Sequence, residues 1–156
     1  MRRDYFELDV SNVDWVDADE DPRKPTVRID FHGPEELLRE RLTGRDGDFL
    51  TAEETDVALR LTEPLDDEDA SGVVGVTERL TGDFVLELNE DADDVFRFIR
   101  AAREYGQAES GDGRYRVEIT IDGETVVTYE KTTFLVYDTD GNLLRGQSLI
   151  PSGVEL

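Results

Sequence analysis

Four carboxylates lie within five positions of one short segment, residues 89–106, which reads NEDADDVFRFIRAAREYG. Carboxylates that converge on one point can act as an acid and base pair in hydrolysis or hold a divalent cation. Glu90, Asp91, Asp93 and Asp94 instead precede a run with the spacing of an amphipathic helix, so they fan around its first turn. Acidic side chains in that place cap free N–H groups and complement the positive end of the helix dipole. We therefore interpret the four carboxylates as a helix start rather than as a site.

A second segment, DTDGN, has the residue types of a calcium loop. Asp138, Asp140 and Asn142 occupy the first, third and fifth positions of an EF-hand-like loop. The sixth position is Leu143, where that loop needs glycine, and the twelfth is Leu149, where it needs glutamate. The aspartate–glycine step in this segment is typical of a hairpin turn, which is the interpretation we adopt.

One histidine and one tryptophan are the remaining candidates. His32 has no cysteine or G-x-S-x-G serine to activate, and histidine-based zinc sites need more than one imidazole in most arrangements. Trp15 precedes the acidic run DADED, where it either marks a recognition loop or forms a lid over the edge of the core. No phosphate loop or dinucleotide fingerprint occurs. We therefore predict no catalytic residue, no metal ligand and no cofactor, and we take Trp15 and His32 as a candidate interaction surface.

Charge is the strongest compositional signal. The 39 acidic residues against 17 basic ones give a formal net charge of −22, and the basic residues include only two lysines, Lys24 and Lys131. Such charge destabilises a compact chain in dilute buffer, but at about 1 M salt the screening length falls to roughly 3 Å. The composition therefore indicates a protein adapted to concentrated salt inside the cell, with hydrated cations held non-specifically around its acidic runs.

The same negative charge limits the classes of partner that the protein is expected to bind. Nucleic-acid binding needs a basic stripe that displaces counterions from phosphates, and anionic membranes need one too. The segment that comes closest to a basic stripe contains Arg114 and Arg116, and acidic residues flank it. No signal peptide or membrane span is apparent either. We expect a cytoplasmic protein with no nucleic-acid or membrane partner, while another protein stays open as a partner and the oligomeric state is undetermined.

Period-two alternation along the chain predicts about eight strands. The alternating segments are DYFELDV, TVRIDF, TDVALRLTE, VVGVTERL, GDFVLELN, RYRVEITI, ETVVTYE and FLVYD, with a last strand running to about Ile150 and stopping at Pro151. Asp122-Gly123 predicts one hairpin and Asp140-Gly141 a second. The pattern predicts an α+β fold, a single domain over residues 1–156, with a mainly antiparallel β-sheet or sandwich.

Two helices complete this prediction. GPEELLRERLTG is a short helix with Pro34 at its first position. The longer helix, about 91–105, has an apolar stripe that should pack on the sheet. Asp93 with Arg97, and Arg100 with Glu104, have the i,i+4 spacing of ion pairs on its outer side.

Several segments together resemble an uncharacterised protein family of halophilic archaea. They are RRDYFELDV, NVDWVDAD, LTGDFVLELNEDADDVFRFIRAAREYG, YEKTTFLVYDTDGNLLR and SLIPSGVEL, and the resemblance covers the full length of the chain. It implies residence in a salt-rich cytoplasm and carries no activity, ligand or site residue.

Three functions stay open from the sequence. The first is a non-enzymatic, salt-adapted binding or protein-interaction domain, favoured because no nucleophile–base pair, metal-ligand spacing or phosphate loop is present. The second is a hydrolase-like enzyme whose Asp, Glu, Tyr or Arg residues come from distant segments. A strongly raised carboxyl pKa in a cleft would reveal it. The third is a structural subunit of a larger complex, which would expose an apolar patch or an unprotected edge strand.

Overall fold

A computed structural model describes residues 5–18, 20–108 and 113–150, which form eight strands and three α-helices. The strands are β1 Phe6–Ser11, β2 Thr26–Phe31, β3 Thr55–Leu61, β4 Ser71–Glu78, β5 Phe84–Asp91, β6 Tyr115–Ile121, β7 Glu124–Lys131 and β8 Leu135–Tyr137. The helices are α1 Trp15–Ala18, α2 Glu35–Leu42 and α3 Ala92–Ala108, and a 3-10 turn lies at Ala52–Glu54. Within this described part, no helix combines the length and apolar character that crossing a bilayer requires.

The strands form two four-stranded sheets. The first sheet has the order β1-β2-β6-β7 and the second has the order β5-β4-β3-β8. The pairs β1–β2, β6–β7, β3–β4 and β4–β5 are antiparallel, whereas β2–β6 and β3–β8 are parallel. The predicted α+β fold with about eight strands and two longer helices is confirmed, and both sheets are mixed.

A single hydrophobic core joins the two sheets and the two longer helices. Alternate residues of β2 and β6 face it, because successive side chains of a strand point to opposite faces. On α3 the buried side chains are Ala92, Val95, Phe98, Ile99, Ala101 and Ala102. The Phe98 ring meets the Tyr115 ring edge to face with centroids 5.4 Å apart, and it lies 6.4 Å from that of Phe134. The predicted packing of the long helix on the sheet is therefore present.

The helix boundaries and ion pairs differ in detail from the prediction. Pro34 is the N-cap of α2 rather than its first helical residue. Helix α3 begins after Asp91 and ends at Ala108, three residues later than predicted. Its arginines pair across the structure instead of along the helix. Arg97 binds Asp14 at 2.8 Å and Arg100 binds Asp17, so the segment around α1 is fastened to α3.

The two aspartate–glycine turns have different outcomes. Asp122 and Gly123 have φ of 47° and 87°, both positive as a type I′ turn requires, and they join β6 to β7 in the predicted hairpin. At Asp138 the carboxylate accepts the backbone N–H groups of Asp140 and Asn142, which closes a turn.

The strand predicted after this second turn is absent, so that prediction is wrong. Among the described residues after β8, which end at 150, the pairing is limited to isolated bridges, Tyr137 with Leu143 and Phe134 with Leu149. The Ser148 hydroxyl accepts a bond from Val136 N and donates to Leu144 O, so side-chain bonds replace part of the ladder there. The stop predicted at Pro151 lies outside the described residues.

Lys131 ties the first sheet to the second. Its side chain is only 5% exposed, and its ammonium donates to the carbonyls of Ala52 at 2.7 Å and Thr55 at 2.6 Å, where the 3-10 turn meets β3. Burial lowers the pKa of Lys131 to about 8. Beside it on the inner row of β7, Tyr129 is 3% exposed and its hydroxyl has no hydrogen-bond partner among the described residues.

Candidate binding crevice

An apolar crevice lies between the two sheets and is closed at one side by α3. Its walls come from β1, β2 and β6 of the first sheet, from β3, β4 and β5 of the second, and from α3 and Phe134. Most lining side chains are valine, leucine, isoleucine or aromatic, including Val27, Val74 and Val76. The free volume inside is about 50 Å³. An apolar cavity of this kind can stay dry and accept an apolar group.

The mouth of the crevice lies beside β1, an outer strand of the first sheet. Leu8 is half-buried there and Val10 is 38% exposed, whereas the lining residues deeper inside are buried. Facing them are Glu90, near the end of β5, and Asp94, in the first turn of α3, which are the charged residues that line the crevice within the described part of the chain. The crevice is thus apolar inside and negatively charged at its opening.

Glu90 reaches the mouth because it continues the inner row of β5. Leu86, Leu88 and Glu90 alternate along the strand, and the two leucines are buried in the core. Glu90 stands directly opposite Gly72 of β4. A Cβ at Gly72 would lie 2.6 Å from the carbonyl oxygen of Arg60, so the close approach of β3 requires glycine at this position.

The Glu90 carboxylate is half-buried and has no compensating partner in the part of the chain that the structure describes. No hydrogen bond or ion pair from the described residues reaches it, although the carboxylates of Asp94 and Asp91 lie nearby. Burial, and then the negative charges of Asp94 and Asp91, raise the pKa of Glu90 above its ordinary value. Because an inward carboxylate without a partner destabilises the fold, its position favours a role in binding a positive group.

A second groove extends from the mouth along the loop after β1. It encloses about 310 Å³. Its lining comes from the end of β1 and the loop that follows it, from the end of β5, and from Asp94, Arg97 and Phe98 of α3. The ion pairs of Arg97 with Asp14 and Asp17 hold this wall in place. A small apolar cavity beside a polar, partly open groove is the arrangement in which a protein interface buries one anchoring side chain.

The two residues proposed from the sequence as an interaction surface lie apart from the crevice lining. Trp15 is only 5% exposed and belongs to the core, and its Nε1–H donates to the Asn12 carbonyl at 2.5 Å. Its burial agrees with the alternative in which Trp15 covers an edge of the core. His32 is exposed and follows β2. No observation tests whether either residue contacts a partner, so that surface stays a prediction.

Sequence reasoning missed the position of Glu90 and Asp94 at the mouth of the crevice. Of the four carboxylates that it placed at a helix start, Asp93 and Asp94 do lie in the first turn of α3. Glu90 and Asp91 are instead the last two residues of β5, so for them that prediction is wrong. One signal in the sequence could have identified Glu90. It follows Leu86 and Leu88 at a spacing of two residues, so the alternation of the strand places its carboxylate on the face that points to the core.

Comparison with known proteins adds a family and no activity. No curated protein and no solved structure matches the chain. A family model described as "Family of unknown function (DUF5793)" matches residues 1–156. The chain therefore belongs to this family of unknown function over its whole length.

Proposed function

We propose that this protein is a non-enzymatic binding domain that takes an apolar side chain of a partner protein into the crevice. The partner would present a lysine or arginine next to that side chain, with its positive charge on Glu90 and Asp94. The single observation that carries the proposal is the half-buried Glu90 carboxylate, which has no partner among the described residues and stands at the mouth of an apolar cavity.

The dimensions favour a side chain over a metabolite. Small-molecule sites usually enclose roughly 300–1,000 Å³, whereas the apolar interior here has about 50 Å³. An isolated aliphatic group can enter such a space, while the adjoining groove of about 310 Å³ provides room for neighbouring residues of the partner chain. Outer strand β1 borders the same mouth, so an extended partner segment can also bond to its backbone.

A hydrolase is the second candidate, because Glu90 is a carboxylate with a raised pKa in a cleft. A glycosidase-type pair also needs polar groups that hold the substrate. The interior beyond Glu90 and Asp94 is apolar, and its one hydroxyl, that of Tyr115, donates to the Thr133 carbonyl at 2.7 Å. The lining therefore favours binding of an apolar group over hydrolysis.

The working environment forms part of the proposal. We infer a salt-rich cytoplasm in a halophilic archaeon, which is supported by the net charge of −22 and the use of only two lysines. Molar salt screens exposed ion pairs strongly but affects partly buried ones much less. A half-buried carboxylate beside an apolar anchor is thus a means of recognition that operates in such salt.

The test is a selection from a library of random peptides in 2 M KCl. The wild-type chain should enrich peptides in which a leucine, isoleucine or valine lies next to a lysine or arginine. The double variant E90Q/D94N should lose this enrichment because the charge at the mouth is removed. D91N/D93N is the matched control, since it changes the same charge in the same segment at residues that do not line the crevice.

Two results would overturn the proposal. One is enrichment by E90Q/D94N of the same peptides as the wild type, and the other is loss of enrichment by D91N/D93N to the same extent. Hydrolysis of a chromogenic glycoside panel that disappears in E90Q would support the hydrolase instead.

A further inference from the structure

A separate group of side chains converges on the outer face of the first sheet. Glu7 of β1 lies directly opposite Asp30 of β2, and His32 follows two residues later. Glu7 points away from the crevice, because its neighbour Leu8 lines it and successive side chains alternate. The group is therefore independent of the proposed partner site.

Three potential ligand atoms in this group face one another. His32 Nε2 lies 3.2 Å from a carboxylate oxygen of Glu7 and 3.2 Å from one of Asp30. All three atoms lie within 4.8 Å of one another. Two carboxylates directly opposite across a ladder repel each other, so the pair requires a positive charge between or beside them.

A protonated His32 would supply this positive charge with poor hydrogen-bond geometry. A charge-assisted N–H···O bond is usually about 2.7–2.9 Å long, and here one Nε2–H would be divided between two oxygens at 3.2 Å. A tetrahedral zinc ion with bonds of about 2.0–2.1 Å places its ligand atoms about 3.3 Å apart. The two distances from His32 Nε2 to the carboxylate oxygens are close to this ligand–ligand distance. The side chain of Glu7 is 78% exposed, so it is free to move and adjust the third distance, between the Glu7 and Asp30 oxygens.

Surrounding residues hold two of the three groups in position. The other oxygen of Asp30 accepts bonds from the Thr120 hydroxyl at 2.5 Å and from Gly123 N at 2.9 Å. His32 Nδ1 faces a carboxylate oxygen of Asp122 at 3.4 Å, the outer contact that metal-ligating histidines commonly make.

We propose that Glu7, Asp30 and His32 form a site for a divalent transition-metal ion, with Zn²⁺ as the best match and solvent completing the coordination. One imidazole and two carboxylates suit Zn²⁺ better than Mg²⁺, which prefers an all-oxygen octahedral shell. The sequence predicted no metal because only one histidine is present, whereas the pairing of β1 with β2 brings two carboxylates to that histidine.

The test is a titration with ZnCl₂ in 2 M KCl and 10 mM MgCl₂, which saturates diffuse cation binding to the acidic surface. Calorimetry should give one Zn²⁺ per chain. The ring nitrogens of His32 can be followed without ambiguity by NMR, since the chain has one histidine, and Nε2 should shift on binding. H32Q and E7Q should each weaken binding by about tenfold or more, and D9N is the matched control, an exposed carboxylate of β1 outside the group.

The proposal is overturned by any of three results. These are the absence of a saturable Zn²⁺ signal, equal Zn²⁺ affinity in H32Q and wild type, or an equal shift of the His32 ring when Mg²⁺ alone is added. Circular dichroism of each variant checks its fold, and the exposed position of Glu7 makes E7Q safe in this respect.

Discussion

Replacement of Lys131 by methionine should remove a specific rise in stability at alkaline pH. In the folded chain the buried ammonium has a pKa of about 8, against an ordinary value of 10.5. Between these values the unfolded chain holds a proton that the folded chain has released, so the free energy of unfolding increases with pH. Below about pH 8 the ammonium is charged in both states and this contribution is flat.

The magnitude follows from the shift. A change from 10.5 to about 8 corresponds to about 3 kcal/mol at 1.36 kcal/mol per unit. Part of this free energy is gained only near pH 10.5. Solvent also screens the charge, because the turn that contains Ala52 is partly exposed, so we expect a gain of about 1–2 kcal/mol between pH 8 and 10. Above pH 10 the gain should reverse. Burial raises the pKa of Tyr129 to about 12, and the unfolded chain then loses protons that the folded chain keeps.

Urea unfolding in 2 M KCl from pH 7 to 10 measures this effect. The wild type should gain stability with pH relative to K131M, which keeps the contribution of Tyr129 and lacks that of Lys131. K24M should behave like the wild type, because it removes the other lysine, which is partly exposed and pairs with Glu130. An equal rise in K131M and wild type would refute the account of Lys131 as a buried ammonium bonded to Ala52 and Thr55.

Three further predictions concern the fold. The chain should unfold cooperatively above about 1 M KCl and lose the near-ultraviolet dichroism of buried Trp15 at low ionic strength, so full stability in dilute buffer would count against salt adaptation. Phe98→Ala should cost about 3–5 kcal/mol in urea unfolding, because the ring is 5% exposed and packs on an aromatic cluster. Gly72→Ala should cost about 1–3 kcal/mol, since its Cβ would meet Arg60 O at 2.6 Å, whereas Gly146→Ala has open space and should change stability little.

Local patterns predicted most elements of the fold. Alternation located the strands, and Asp122-Gly123 marked a hairpin that both positive φ angles confirm. The parallel pairing of β2 with β6 was not predictable, because it joins segments separated by three strands and two helices and depends on core packing. The residues after Asn142 follow a strand-like pattern, yet the Ser148 side chain supplies bonds that a further strand would have provided.

The crevice depends on the same non-local packing. Alternation along β5 alone predicts that Glu90 faces inward with Leu88. Its position at the mouth of a cavity requires the placement of β1 and α3, which no local pattern contains. The arginines of α3 show the same limit, since their spacing predicted pairs along the helix while tertiary structure brought Asp14 and Asp17 to Arg97 and Arg100.

The central claim is that Glu90 serves binding at the expense of stability, and one paired measurement tests it directly. Because Glu90 is ionised against burial and like charge, the single variant E90Q, which keeps Asp94 at the start of α3, should be more stable than the wild type at pH 7, by up to about 1 kcal/mol. The affinity of E90Q/D94N for a peptide selected by the wild type should fall by about tenfold or more in 2 M KCl. An E90Q variant that is less stable than the wild type, or a double variant that binds the peptide as tightly as the wild type does, would contradict the account.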